Sequence, residues 1–291
     1  MTEAATGIGA TAGRSLWGEA WRRLRRNRAA VVALVILGAI ATAALLGPAL
    51  SPWPIDEVDW DAMASAPGLG HPFGTDANGR DMLARVLFGG RISLLVGLAA
   101  TLVSVVIGIA WGATAGYLGG RSDAVMMRIV DILYALPFMF FVILLMVYFG
   151  RHIVLIFVAI GVVEWLDMAR IVRGQALSLK QKEFVEAAKA VGTPEFTIVR
   201  RHIVPNTLGP VTVFATLTVP KVILFESFLS FLGLGVQEPM TSWGVLISEG
   251  ATQMETAPWT LIFPTLFLAV TLFCLNFIGD GLRDALDTKQ R

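Results

Sequence analysis

Residues 92–118 read Ile92-Ser-Leu-Leu-Val-Gly-Leu-Ala-Ala-Thr-Leu-Val-Ser-Val-Val-Ile-Gly-Ile-Ala-Trp-Gly-Ala-Thr-Ala-Gly-Tyr-Leu118, with no Asp, Glu, Lys or Arg among them. As a helix this stretch is about 40 Å long, enough to cross the roughly 30 Å hydrocarbon core of a bilayer. No water reaches backbone amides at that depth, and a helix satisfies them within the segment. The stretch is therefore predicted to cross a membrane as a helix.

Working outward, residues 29–55, 132–150 and 256–279 are also free of charge, which places further spans at about 29–50, 131–149 and 258–279. Two weaker candidates complete the set: 152–163, which runs into Glu164 and Asp167, and 202–220, which contains Pro205, Pro210 and Pro220. The expected fold is all-α, a polytopic integral membrane protein with six transmembrane helices. Composition agrees. Of 291 residues 55% are hydrophobic and 15% charged, with a mean hydropathy of +0.69, where soluble domains carry about 25% charge. Those figures exclude a soluble enzyme and a disordered chain, and a net charge of +1 gives no basic field for nucleic acid. The single Cys274 excludes a disulfide framework.

Lys and Arg accumulate on the cytoplasmic side of membrane proteins. With six crossings, 18 of the 23 fall on one side: six before the first span, from Arg14 to Arg28; Arg121 and Arg128; seven from Arg170 to Arg201; and Arg283, Lys289 and Arg291. Arg80, Arg85, Arg91 and Arg151 fall on the other, and Lys221 lies at the end of the fifth span. Both termini are expected in the cytoplasm. A cleaved signal peptide is the rival reading of the first span, but its apolar run exceeds the 7–15 residues or so of a signal core. The expected organisation is a cytoplasmic tail 1–28, a first helix 29–50, an external loop 51–90, a five-helix core 91–280 with a cytoplasmic loop 170–205, and a tail 281–291.

The external loop holds His71-Pro-Phe-Gly-Thr-Asp-Ala-Asn-Gly79, and apolar Met82, Leu83, Val86 and Leu87 follow at helical spacing, which predicts a short amphipathic helix on the outer face. Gly108, Gly112, Gly116 and Gly120 lie four apart, a stripe that lets another helix approach closely. Pro137, Pro220 and Pro264 are expected to kink their helices. Glu164 and Asp167 are expected to form interfacial ion pairs with Arg170 and Arg173. Glu226, Glu238 and Glu249 are expected outside and solvated. Residues 225–235 either extend the fifth span or fold back as a re-entrant turn.

The loop Glu183-Phe-Val-Glu-Ala-Ala-Lys-Ala-Val-Gly-Thr-Pro-Glu-Phe-Thr-Ile-Val-Arg-Arg-His-Ile-Val-Pro205 carries the mechanism. Residues 183–191 favour helix, Gly192 suits a C-terminal cap, Thr193 an N-cap and Pro194 a first turn. This spacing predicts two short helices joined at an elbow. Phe184, Ala188 and Val191 share one face of the first, and Phe196, Val199 and Ile203 one face of the second. Such an elbow fits a groove on another protein; periodicity alone fits a helix lying on lipid equally well.

This loop resembles the signature of the permease subunits of bacterial ABC importers: Glu-Ala-Ala, three residues, Gly, nine residues, Ile, any residue, Leu, Pro. Glu186, Ala187, Ala188, Gly192 and Pro205 match in register, while His202 and Val204 replace the usual Ile and Leu. His71-Pro-Phe-Gly-Thr-Asp76 with Gly79-Arg-Asp81, Ser227–Pro239 with Ser242-Trp-Gly244, and Asn276–Leu286 look like the C-type permease of oligopeptide and dipeptide transporters, and Ala169-Arg-Ile-Val-Arg-Gly174 and Gln237-Glu-Pro239 look closest to the oligopeptide member. The resemblance implies a type I ABC permease fold in a bacterial inner membrane. It further implies a second, B-type permease, two cytoplasmic ATPase subunits that bind ATP and Mg, and an external peptide-binding protein. Glu186, Ala187, Ala188, Gly192, Thr193, Pro194 and Pro205 would form the element that couples to an ATPase. Carriers of dipeptides, glutathione or nickel look similar.

The chain has no Gly-x-x-x-x-Gly-Lys-Ser/Thr loop and no His-Glu-x-x-His, and His71, His152 and His202 fall on different elements. It is expected to be non-catalytic, with no cofactor or metal of its own. An ion-gradient-driven secondary transporter is the more distant alternative, and it would need an internal inverted repeat that is not visible.

Overall fold

The computed structural model describes residues 16–150 and 153–286, so Arg14, Arg151, His152, Lys289 and Arg291 lie outside the described residues. Among those residues every extended element is helical: α1 Leu16–Arg26, α2 Arg28–Leu50, α3 Met82–Leu118, α4 Gly120–Tyr134, α5 Phe138–Phe149, α6 Ile153–Leu179, α7 Glu183–Ala190, α8 Glu195–Ile198, a π-helical turn Val199–Ile203, α9 Val204–Phe231, α10 Trp243–Thr252 and α11 Trp259–Leu286. Four helices are long and apolar enough to cross a membrane: Arg28–Ala49, Met82–Leu118, Glu195–Phe231 and Trp259–Leu286. The bent pair Gly120–Ala135 and Phe140–Phe149 makes a fifth if counted as one span. The sixth of the expected set is α6, about 40 Å long, interrupted by Glu164, Asp167, Arg170 and Arg173.

The outer amphipathic helix expected before residue 91 is not a separate element. Residues 82–90 are the first turns of α3, 37 residues in one helix, because nothing between Asp81 and Leu118 breaks it. Asp81 caps it, its side chain accepting from the Ala84 amide at 2.7 Å. Met82, Ala84, Arg85 and Val86 are buried against α10 and α11 rather than lying on a membrane surface. There Gly90 meets the Trp243 ring, whose Nε1–H donates to Val86 O at 2.9 Å.

Segment 51–81, expected to be external, is a folded clasp. Gly74 and Gly79 take φ of +72° and +79°, conformations only glycine adopts freely, and each turns the backbone against a neighbour that would collide with a Cβ. Phe73 stacks on Phe263 at 4.0 Å, and Trp259 Nε1–H donates to Thr75 O at 2.9 Å. His71 is buried between Asp81 (2.8 Å) and Asp59 (3.4 Å). Arg85, 3% exposed, bridges Asp76 at 2.5 Å and Glu249 at 3.0 Å.

The glycine stripe packs α3 on α6. A Cβ at Gly112 would meet Ala169 O and Val172, and one at Gly116 would lie 2.6 Å from Arg173 O. Gly120, the fourth expected member, faces open space, because α3 ends at Leu118 and Gly120 begins α4. Pro137 does not kink a helix but separates two, bent by 83°, since it caps α5 in an extended conformation (ψ 103°). Pro220 and Pro264 lie inside continuous helices.

Helix α9 runs to Phe231 and then turns back. Gly233, at φ +74°, and Leu234 bond to Ser230 O and Leu229 O, both at 2.9 Å, a Schellman cap. Residues 225–231 thus extend the span, and the return passes through 232–242 into α10. Glu226, expected in solvent, is fully buried, accepting from Ser230 (2.7 Å) and Ser93 (3.2 Å). Its position on the inward face of α9, which periodicity could have shown, explains the difference.

Candidate functional site

The loop after α6 forms the predicted elbow. Helix α7 ends in a second Schellman cap: Gly192 N–H bonds Lys189 O at 2.9 Å, Thr193 N–H bonds Ala188 O at 3.1 Å, and Gly192 takes φ +80°. Thr193 therefore closes the first helix instead of capping the second. Pro194, extended at φ −58° and ψ 141°, is the cap of α8, because the Thr193 amide is already committed backwards. Pro205 is the second residue of α9 but lies within the continuous helix Glu195–Phe231, and its missing N–H falls just after the π-helical turn Val199–Ile203.

One side of the elbow is anchored. Val185, Ile198 and Ile203 are fully buried in a cluster with Ala113, Tyr117, Val172, Ala176 and Val211, which ties the loop to α3, α6 and α9 at once. Lys180 Nζ donates to Tyr117 O at 3.1 Å, and Lys189 lies 5.1 Å above the Tyr117 ring. The other side is open. Phe184, Val191 and Phe196 are 42%, 86% and 75% exposed, and Glu186, Ala187 and Gly192 are exposed beside them. Phe196, Val199 and Ile203, expected to share one face, do not: Phe196 is exposed, Val199 half-buried and Ile203 buried, the π-helical turn Val199–Ile203 breaking the α-helical spacing between Phe196 and Ile203. The site presents apolar anchors on a braced frame.

The charges of α6 pair differently from expectation. Glu164 and Asp167 bond Lys221 of α9 at 3.0 and 3.4 Å. Arg170 pairs with Asp131 at 2.9 Å, and Arg173 holds Asp123 through two bonds of 2.6 and 2.7 Å. A cation three residues along the same helix was the nearest partner in sequence, but the α6–α9 crossing brings Lys221 closer. The signal available was Lys221 itself, a lone charge at the end of an otherwise uncharged run.

Residues 105–291 match the family model described as "Binding-protein-dependent transport system inner membrane component". The chain belongs to this family. Residues 15–67 match a second model, the N-terminal TM domain of oligopeptide transport permease C. The chain is 63% identical over 281 residues to the oligopeptide transport system permease protein OppC of Escherichia coli (strain K12), covering 96% of this chain and 93% of that one. It is 59% identical to the protein of the same name from Haemophilus influenzae (96% and 90% covered). A dipeptide transport system permease protein, DppC of Bacillus subtilis, is 47% identical (94% and 86%). A chain of the MetNI methionine ABC transporter shares the fold, with a TM-score of 0.56 at 19% identity over 71% of this chain and 98% of that one. The chain is thus a non-catalytic, multi-pass permease subunit of an ABC importer.

Proposed function

We propose that this chain forms half of the translocation pathway of an ATP-driven oligopeptide importer, and that Glu186, Ala187, Ala188, Gly192, Thr193, Pro194 and Pro205 build the element that seats in a cytoplasmic ATPase subunit. The observation that carries the second part is the elbow's two-sidedness. Phe184, Val191 and Phe196 are exposed at its tip while Val185, Ile198 and Ile203 are fixed among the membrane helices, so a push on the tip reaches α6 and α9. A helix resting on lipid would lack that bracing.

In this reading a homologous B-type permease supplies the other half of the pathway, two ATPase subunits bind ATP and Mg, and an external binding protein delivers the peptide. The elbow and both termini face the cytoplasm of a bacterial inner membrane. Oligopeptides are favoured because the relatives at 59–63% identity are oligopeptide permeases and residues 15–67 match the N-terminal model of oligopeptide transport permease C; dipeptide, oligopeptide and glutathione permeases at 47%, 44% and 38% do not separate by substrate. The test is purification of the tagged chain from its native membranes in mild detergent, with identification of co-purifying chains and an ATPase assay. Recovery of a second permease and ATP-hydrolysing subunits is expected. A chain that purifies alone, with peptide uptake driven by an ion gradient, would refute the proposal.

A further inference from the structure

Two features that hydrocarbon does not tolerate meet in one cavity. The first is the charge cluster of Glu164, Asp167 and Lys221. Glu164 begins the fourth turn of α6, eleven residues from its start at Ile153, and Lys221 lies ten residues before the end of α9 at Phe231. At 1.5 Å per residue both sit about 15 Å from the same end of the bundle, near the middle of a bilayer about 30 Å thick. Ionisable groups at that depth face a bundle interior or a water-filled path. The second feature is the break between α4 and α5. Non-helical backbone at membrane depth persists only within protein or along a cavity, and Leu136, at the break, lines the same cavity as the triad.

That cavity measures about 350 Å³, with Leu133, Phe141, Val163 and Phe225 among its apolar walls. The triad is not sealed in it as a structural ion pair would be. Glu164 is 3% exposed, but Asp167 is 28% and Lys221 46% exposed. The ammonium has three N–H donors and gives one to Glu164 at 3.0 Å and one to Asp167 at a long 3.4 Å. A donor and a carboxylate thus stand open, side by side, in an apolar chamber at mid-depth.

We propose that Glu164, Asp167 and Lys221 line the passage taken by the transported peptide and receive its charged ends in turn as each passes, Lys221 the terminal carboxylate and Asp167 the terminal ammonium; at 3.4 Å apart the two serve one end at a time, since an extended tripeptide spans about 10 Å. Glu164 holds the lysine in place. A zwitterionic peptide crossing hydrocarbon would otherwise shed the hydration of both ends with nothing in return; here each end meets an opposite charge in a low-dielectric setting, where charge-assisted bonds are strong. The proposal rests on the peptide-importer reading.

The test uses the complete complex in proteoliposomes, with ATP and the external binding protein, and three probes: a free tripeptide, its C-terminal amide and its N-acetyl derivative. Each variant is expressed as a fraction of wild type for each probe, so the binding protein's own preferences cancel. Glu164→Gln/Lys221→Met is the informative variant because it removes the buried Glu164 charge together with the lysine, leaving Asp167, which at 28% exposure keeps access to water. It is expected to reduce uptake of the free tripeptide about tenfold, the worth of one charge-assisted bond, and of the amide far less. Asp167→Asn is expected to spare the N-acetyl peptide in the same way. Equal fractional losses for all three probes, or none, would overturn the proposal and leave the triad a structural ion pair. Loss of the second permease on purification would overturn it too, assigning the triad to a subunit interface. A wild-type complex that takes up none of the peptides would instead fell the importer reading, and this proposal with it.

Discussion

Substitution at Gly192 separates the shape of the elbow from its contacts. A Cβ added there meets nothing within 4 Å, so Gly192→Ala introduces no collision, and its whole cost arises from φ +80°. A left-handed conformation costs a residue with a Cβ about 1–2 kcal/mol, which shifts the elbow toward other conformations by roughly 5- to 30-fold. Asn tolerates this region better, so Gly192→Asn should fall between glycine and alanine. Gly192→Pro should be far worse, because its φ is held near −65° and it removes the N–H that bonds Lys189 O at 2.9 Å. The assay is peptide uptake per ATP hydrolysed in the reconstituted complex, alongside the amount of chain recovered from the membrane. The expected order of coupling is Gly, Asn, Ala, Pro at similar chain levels. Full coupling in the proline variant, or equal coupling by Ala and Asn, would refute the reasoning from backbone geometry.

Three further outcomes are expected. Gly112→Leu forces a side chain into Ala169 O, Val172 and Arg173 and should lower the detergent melting midpoint by the equivalent of about 1–3 kcal/mol, whereas Gly174→Leu, facing open space, should leave it unchanged. Arg85→Met removes a partner of the buried Asp76 and of the half-buried Glu249 and should cost about 3–5 kcal/mol, read as faster proteolysis of 51–81 from the outer side; Asp76 retains Arg80 at 2.7 Å and Glu249 retains it at 3.9 Å, which favours the lower figure. The Arg80 hydrogen bond holds the Glu238 carboxyl below the usual carboxylate range. A depressed pKa stabilises above the unfolded value and the benefit disappears as pH falls through the folded one, so the melting difference between wild type and Glu238→Gln should be present at neutral pH and vanish in acid. Glu238 is 69% exposed, so the difference should be small.

The membrane helices and the elbow were legible because both are written in local residue types. Uncharged runs longer than 20 residues mark spans, and Gly192 followed by Pro194 marks a bend whatever surrounds it. Partnerships across the bundle were not legible. Nothing near Glu164 in sequence points to Lys221, 57 residues away, and nothing near Arg85 points to Glu249. Such pairs depend on which helix faces cross, a property of the whole bundle. The misplacement of Glu226 has a different origin. A carboxylate near a span's end was assigned to water by its type, while its neighbours in the helix, Ile223, Ser227 and Ser230, place it on the buried face.

The same two helices that flank the elbow also hold the charged triad. Helix α6 carries Glu164 and Asp167 and leads into the elbow at Leu179; α9 leaves it at Val204 and carries Lys221. A relative movement of these helices at the elbow would be felt at the triad as a change in the Lys221 to Asp167 separation, already long at 3.4 Å. The Val185, Ile198 and Ile203 cluster makes the inner side of the elbow stiff, so the tip cannot move without turning one helix against the other. Stiffness alone does not make a switch; coupling needs an element with two arrangements that both sites bias. The candidate is the π-helical turn Val199–Ile203, which sits where α8 joins α9 and where rewinding to an α-helix would rotate Lys221 about the α9 axis.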